Sequence, residues 1–278
     1  MRSYQIMIDA VADLGKDLRD AYHIDQMCLC TTQGKMACLK GEACPLLLQG
    51  EDFFSLANLS LMLEHSFTRY AKADIDILYL APAASLFPLF ESAKQVAASV
   101  KAKYPSVDIL VVDTESYGIG QGLLAVALAE KRGKGADLLE ACEILEQLKS
   151  RLRLCSTIER PPRRGPFSRR RTPRLMVGRL FGFRPAFAPD RVGVIQVQFR
   201  AKGHIHLIEE ALKQARAEAG VDTPLYLSYA GGQEFFDTLT SVLDENTYLC
   251  PMSALMHTWF GKEGCSLAYL VPPKKQRS

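Results

Sequence analysis

The 278-residue chain has no long apolar run. No stretch approaches the roughly 20 residues a helix needs to cross a bilayer, so a membrane-spanning protein is not expected. A secretory leader is not expected either: in MRSYQIMIDAVADLGKDLRD, Asp9 and Asp13 interrupt any apolar core of a signal peptide. Eight cysteines are too few for a disulfide scaffold at this length. The expectation is a reduced protein of the cytoplasm. Charge of one sign is scarce too, with 34 Lys and Arg against 31 Asp and Glu, a net of +3. So small an excess gives no argument for nucleic acid. No internal repeat marks a solenoid or propeller. What remains is globular in composition, 48% apolar and 23% charged, with ample material for a core.

The charge that is present is unevenly placed. Between Arg160 and Arg174 stand seven arginines and no acid, and the rest of the chain holds 27 bases against 31 acids. Glu159 to Pro173 (ERPPRRGPFSRRRTP) also carries four prolines and reads as a break, not a core element. It divides the chain into an N-terminal domain, residues 1–158, and a C-terminal domain, residues 159–278. The run suits a solvated loop, a docking surface for an acidic partner or for transient contact with membrane headgroups, or nucleic acid. Nucleic acid is the weakest of these. Single strands want aromatic stacking platforms, and only Phe167 lies inside the run.

Before the break, strands and helices alternate. Tyr4–Asp9, Ile24–Cys30, Asp76–Ala81 and Val107–Asp113 read as strands. Val107–Asp113 (VDILVVD) has the apolar continuity of a strand buried on both faces. Helical spacing runs through Val11–Tyr22, Leu56–Tyr70, Leu89–Tyr104, Gly122–Lys131 and Ala136–Leu152. The order predicts a doubly wound parallel sheet. After the break come a short apolar segment, Leu175–Phe181, and strands at 193–199, 224–229, 247–250 and 266–271. Helices are expected at 205–219 and 233–243, so the second half is a less regular α/β domain with a mixed sheet.

Several patterns could carry chemistry. Asp9 and Asp113 each close a parallel strand at the edge where open sheets bind ligands; each could equally cap a turn. Gly118, Gly120 and Gly122 sit between a strand and a helix, but their spacing is not the dinucleotide fingerprint, and a tight turn is the simpler reading. Cys28, Cys30, Cys38 and Cys44 lack the knuckle spacing of a zinc site and read as small buried residues, so no metal is expected. His23, His65, His204 and His206 form no ligand pair. His257 lies in an apolar context, ALMHTWFG, from which an imidazole could donate to an anion. No nucleophile–base pair is visible.

In order and spacing, these pieces resemble the DegV family of bacterial fatty-acid-binding proteins over nearly the full length. Ile8-Asp9-Ala10-Val11-Ala12-Asp13-Leu14 is similar to that family's opening I-x-D-S-T-A-D-L. Val112-Asp113-Thr114, followed by Gly118-x-Gly120-x-Gly122, resembles its D-[ST] strand end and glycine-bearing helix start. Leu180 to Pro185 resembles its L-L-N-I-K-P, Phe199 to Gly203 its V-R-G-K stretch, and His257-Thr258 its late H-T-G-P-G. The hydroxyl motifs are depleted. Asp-Ser-Thr becomes Asp9-Ala10-Val11, T-S-Q-P-S falls on Leu59 to Leu63 around Ser60, and S-S-x-L-S-G-T falls on Ala83 to Leu89 around Ser85.

The resemblance implies a parallel α/β domain, a second α/β domain and an acyl chain in a tunnel near their interface. It implies a long-chain fatty acid as ligand, no cofactor, and a partner kinase that phosphorylates the bound acid. Carried over by position, His257, Thr258, Ser60, Ser85 and Asp9 are the expected ligand-binding residues. Arg163, Arg164, Arg169 and Arg170 are the expected docking residues for the partner. The chain would then be a carrier with no catalysis of its own. Two alternatives stay open: an interaction protein that has lost the lipid, and a small-molecule enzyme using the sheet-edge carboxylates.

Overall fold

The computed structural model describes residues 3–27, 56–159, 166–167, 172–177, 181–190 and 194–273. The described residues form two sheets. The first has four parallel strands, β1 (Tyr4–Asp9), β2 (Ile24–Met27), β3 (Asp76–Ala81) and β4 (Ile109–Asp113), in the order β2-β1-β3-β4. Register pairs Ile6 with Ile24, Ile6 with Leu78, and Tyr79 with Val111. Between the strands run α1 (Lys16–Ala21), α2 (Leu56–Lys72) and α3 (Leu89–Lys103). The central strands each hold an apolar run because both faces are covered there: Ile6, Met7 and Ile8 in β1 and Ile77 to Ala81 in β3 are inaccessible.

The reading of Val107–Asp113 as buried on both faces needs correction. The strand is Ile109–Asp113, it lies at the edge of the sheet, and each of its residues is only part-buried. An apolar run records contact with a core but not position within a sheet. The first helix is likewise shorter than its periodicity: Val11 and Leu14 are buried in the loop ahead of it.

α4 (Gly118–Gly133) begins on the glycine triplet itself, not after it. Gly118 has φ +55°, and a Cβ on Gly120 would fall 2.3 Å from Ser116 Oγ. One on Gly122 would fall 3.2 Å from Leu14 Cβ. The glycines therefore admit close neighbours to the helix start. α5 (Leu138–Arg151) opens on a capping box. Asp137 Oδ1 accepts from the amides of Leu139 and Glu140 at 2.9 Å, and Glu140 Oε2 accepts from Asp137 N at 2.9 Å.

The second sheet has six strands in the order β7-β6-β5-β10-β8-β9. They are β5 (Leu152–Thr157), β6 (Phe183–Pro189), β7 (Ile195–Lys202), β8 (Leu225–Tyr229), β9 (Thr247–Pro251) and β10 (Cys265–Leu270). All neighbours are antiparallel except β8 and β9. The chain enters this sheet at Leu152, directly after α5 and ahead of residue 158. Alternation along β10 sorts its two faces. Cys265, Leu267 and Tyr269 pack with Ile208, Ala211 and Leu212 of α6 (His204–Ala219), while Ala268 joins the larger core shared with the first sheet. The second half also holds α7 (Gln233–Thr240) and α8 (Ala254–Phe260). Of Leu175–Phe181, read as one apolar segment, the first two residues belong to a short 3-10 turn at Pro173–Met176, and residues 178–180 lie outside the described residues.

Candidate functional site

The carboxyl edge of the parallel sheet carries the residues singled out above. Asp9, at the end of β1, is inaccessible. Its Oδ1 accepts from Val11 N at 2.7 Å, and its Oδ2 accepts from Gln121 Nε2 at 2.9 Å and Tyr79 Oη at 3.3 Å. Burial pushes its carboxyl up to about 6 against those bonds. Asp113, at the end of β4, accepts from the amides of Glu115 at 2.8 Å and Ala84 at 3.3 Å. Both carboxylates thus close local turns, the simpler of the two readings each allowed.

Ser85 is exposed in the loop after β3, and Ser60 is part-buried on α2. α2 runs back from the sheet's carboxyl edge, so its first turns belong to that edge by topology. His257 and Thr258 are part-buried neighbours on α8. Arg163, Arg164, Arg169 and Arg170, and the four cysteines from Cys28 to Cys44, lie outside the described residues.

α8 adjoins this edge through a residue that the sequence reading gave no role. Asp13, in the loop after β1, accepts from Ser253 N at 2.8 Å through Oδ1 and from Ser228 Oγ at 2.9 Å through Oδ2. Ser253 is the N-cap of α8. Asp13 is fully buried, and burial pushes its carboxyl up to about 7. Ser228 is one of three serines in register across the second sheet, Ser156, Ser266 and Ser228, all buried. Ser156 and Ser266 share a 2.8 Å hydrogen bond, and Tyr117 Oη donates to Ser156 Oγ at 3.0 Å. In the sequence each of these serines sits among apolar neighbours, Leu154-Cys155 before Ser156, Leu227 before Ser228 and Leu267 after Ser266.

On the same side, aromatic rings fill the space between the sheets. Phe167 is inaccessible, with its centroid 5.0 Å from Tyr117 and 5.1 Å from Phe260. Trp259 lies 6.3 Å from Phe167 and 5.7 Å from Phe87. The expectation that the arginine-rich stretch contributes nothing to the core is therefore corrected: Pro166 and Phe167 are buried. One aromatic residue gains enough by burial to anchor a charged stretch.

Elsewhere, His204 Nε2 lies 3.8 Å from Cys265 Sγ and His204 Nδ1 lies 3.4 Å from Glu263 Oε2. The arrangement has the outline of a nucleophilic triad. Burial pushes the thiol well up, and burial with the nearby Arg184 pushes the imidazole down. Both shifts favour the neutral pair over the thiolate and imidazolium that such a triad would use. A groove of about 1020 Å³ is lined by Thr114, Ser116, Lys149, Leu152, Pro189 and Val271 among others, and by none of the expected ligand-binding residues. A much smaller space of about 10 Å³ lies between α6 and the second sheet, lined by Leu207, Ile208, Ala211, Leu227, Leu267 and Thr157 among others. Among the described residues no group of three or more His, Cys, Asp or Glu could hold a metal, and no helix is long and apolar enough to cross a membrane.

Comparison with known proteins fits this architecture. A family model described as "Uncharacterised protein, DegV family" matches residues 60–271. The chain belongs to the DegV family. A curated relative, the DegV domain-containing protein YteA of Lactococcus lactis subsp. lactis, is 26% identical over 246 residues, 84% of this chain and 83% of its own length. A DegV domain-containing protein of Streptococcus pyogenes is 28% identical over 173 residues, 61% of this chain and 59% of its own. Solved DegV structures share the fold at low identity. A fatty-acid-binding DegV protein from Thermus thermophilus superposes with TM-score 0.73 at 20% identity, covering 98% of this chain and 100% of that one. A stearic-acid-binding protein from Eubacterium ventriosum gives 0.73 at 14%, covering 96% and 98%.

Proposed function

We propose that this DegV protein is a non-catalytic carrier that binds a long-chain fatty acid and presents its carboxylate to a partner kinase. One observation carries the reading: proteins with the same fold over 96–98% of this chain are named for the fatty acids they bind. In this reading the head-group lies at the carboxyl edge of the parallel sheet, with His257 and Thr258 as donors and Ser60, Ser85 and Asp9 around it. The acyl chain runs in a tunnel near the interface of the two α/β units. The arginines at 163, 164, 169 and 170 dock the acidic face of the kinase, and basic charge there also suits transient contact with anionic headgroups. The protein works in the cytoplasm without a cofactor.

A hydrogen bond to a carboxylate contributes about 1.5–3 kcal/mol. His257→Ala is therefore expected to weaken stearic acid binding at least tenfold, measured by displacement of a fluorescent fatty acid. An unchanged affinity would remove His257 from the site.

A second reading, an interaction protein without lipid, is favoured by one feature. The space between α6 and the second sheet, about 10 Å³, is near the volume that one water occupies. Accommodating an acyl chain there requires the helix to move outward. The third reading, an enzyme using Asp9 and Asp113, is disfavoured because both carboxylates are engaged in turn-closing bonds.

A further inference from the structure

α8 has seven residues, too few to hold its own conformation in water. Its placement therefore depends on what grips its two ends. At the carboxyl end, Glu159 N donates to Phe260 O at 2.8 Å, and Glu159 Oε2 accepts from Lys262 N at 2.9 Å. At the amino end the grip is Asp13. Its Oδ1 takes the amide of Ser253, an opening donor that the helix itself cannot satisfy. Ser253 O then accepts from His257 N at 2.8 Å, and Ser253 Oγ accepts from Met256 N at 3.3 Å. The path from Asp13 to His257 is thus two hydrogen bonds through one residue.

The surroundings of Asp13 are shaped for a carboxylate. Gly118 passes so close that a Cβ there would lie 3.0 Å from Oδ2, and Ser228 donates to that same oxygen. Burying this group is costly, and no basic side chain is among the groups that act on it. An apolar residue of similar size would avoid the cost but would leave Ser253 N without an acceptor. A costly buried group kept against stability points to a role beyond packing.

We propose that Asp13 is a positioning residue for the head-group site: by accepting from Ser253 N it fixes the first turn of α8, and with it the placement of His257 and Thr258. The inference rests on the carrier reading for what His257 does, but the placement of α8 can be measured without a ligand.

The test uses four variants of the full chain. Asp13→Asn keeps an acceptor for Ser253 N and turns a donor toward Ser228 Oγ. Asp13→Ala removes both contacts, and Ser228→Ala removes only the second. Ser253→Pro deletes the amide at a φ of −57° that proline adopts, so it breaks the grip even if Asp13→Ala fails to fold; because it also removes the Oγ that Met256 N bonds, the readout for this variant is His257 and not Met256. Hydrogen exchange at the amides of Met256 and His257, with the His257 imidazole signal by NMR, reports the placement of α8. Stearic acid affinity reports its use.

Asp13→Asn and Ser228→Ala should keep both readouts within about twofold of wild type. Ser253→Pro and Asp13→Ala should shift the His257 signal and weaken stearic acid binding about tenfold, the loss of one hydrogen bond to a charged group. Exchange at Met256 and His257 in Asp13→Ala should rise by a similar factor. Unchanged exchange at the His257 amide and an unchanged His257 signal in Ser253→Pro would overturn the proposal. So would equal losses in Ser228→Ala and Asp13→Ala, which would mark Asp13 as a packing residue only. If wild-type protein binds no stearic acid, the carrier reading fails, and the exchange and NMR results still decide the role of Asp13.

Discussion

Asp9 is a buried carboxylate that three donors satisfy without a balancing cation among them. Burial raises its folded-state value to about 6 from an ordinary 3.8. The folded protein therefore holds a proton there that the unfolded chain has already released. Stability from this group is fully present below about pH 4 and is lost as pH rises to about 6. Asp9→Asn should flatten that part of the stability profile, with a difference on the order of a few kcal/mol. Urea denaturation at pH 4, 5, 6 and 7 measures it, and parallel profiles for the two proteins would contradict the assignment. At this scale the sequence was legible in kind but not in role. A carboxylate at a strand end could be a ligand-binding group or a turn cap, and only the donors around Asp9 and Asp113 distinguish the two. Asp13 was legible only as part of a motif, because its partners Ser228 and Ser253 lie more than two hundred residues away along the chain.

The elements that periodicity reveals are those with an unbroken pattern. β1, β3, α2, α3, α5 and α6 emerge near their expected bounds because each presents one continuous apolar face or run. β6 did not, since Pro185 and Pro189 interrupt it. It is tolerated because β6 meets β5 only at the pair Ser156–Phe187 and carries a bulge at Ala186–Phe187. β5 was hidden because it follows α5 without a loop, so its apolar residues extend the helical pattern. α8 is too short for a period to declare itself. The start of α4 offers a direct test of packing. Gly120→Ala places a methyl 2.3 Å from Ser116 Oγ and should cost about 1–3 kcal/mol, seen as a lowered Tm. Adding Ser116→Ala should recover most of that loss. No recovery would show that the conflict is with the backbone and not with the hydroxyl.

For the whole molecule, the DegV fold brings a parallel sheet edge, a helix bearing His257 and an aromatic interior together. The arginine-rich stretch is the one strongly charged feature of an otherwise mildly acidic chain. Phe167 fastens it to the core between the sheets. If the stretch docks a partner, replacing Arg163, Arg164, Arg169 and Arg170 with glutamine should abolish capture of the kinase and leave lipid affinity unchanged. Loss of lipid with retained capture would reverse the assignment. The ligand itself was legible only through family resemblance, since charge, spacing and periodicity name no acyl chain. The most direct test is native mass spectrometry of the purified protein, with any ligand released and identified. The carrier account predicts one long-chain fatty acid per chain, lost in His257→Ala. Protein that stays bare after incubation with stearic acid would contradict it.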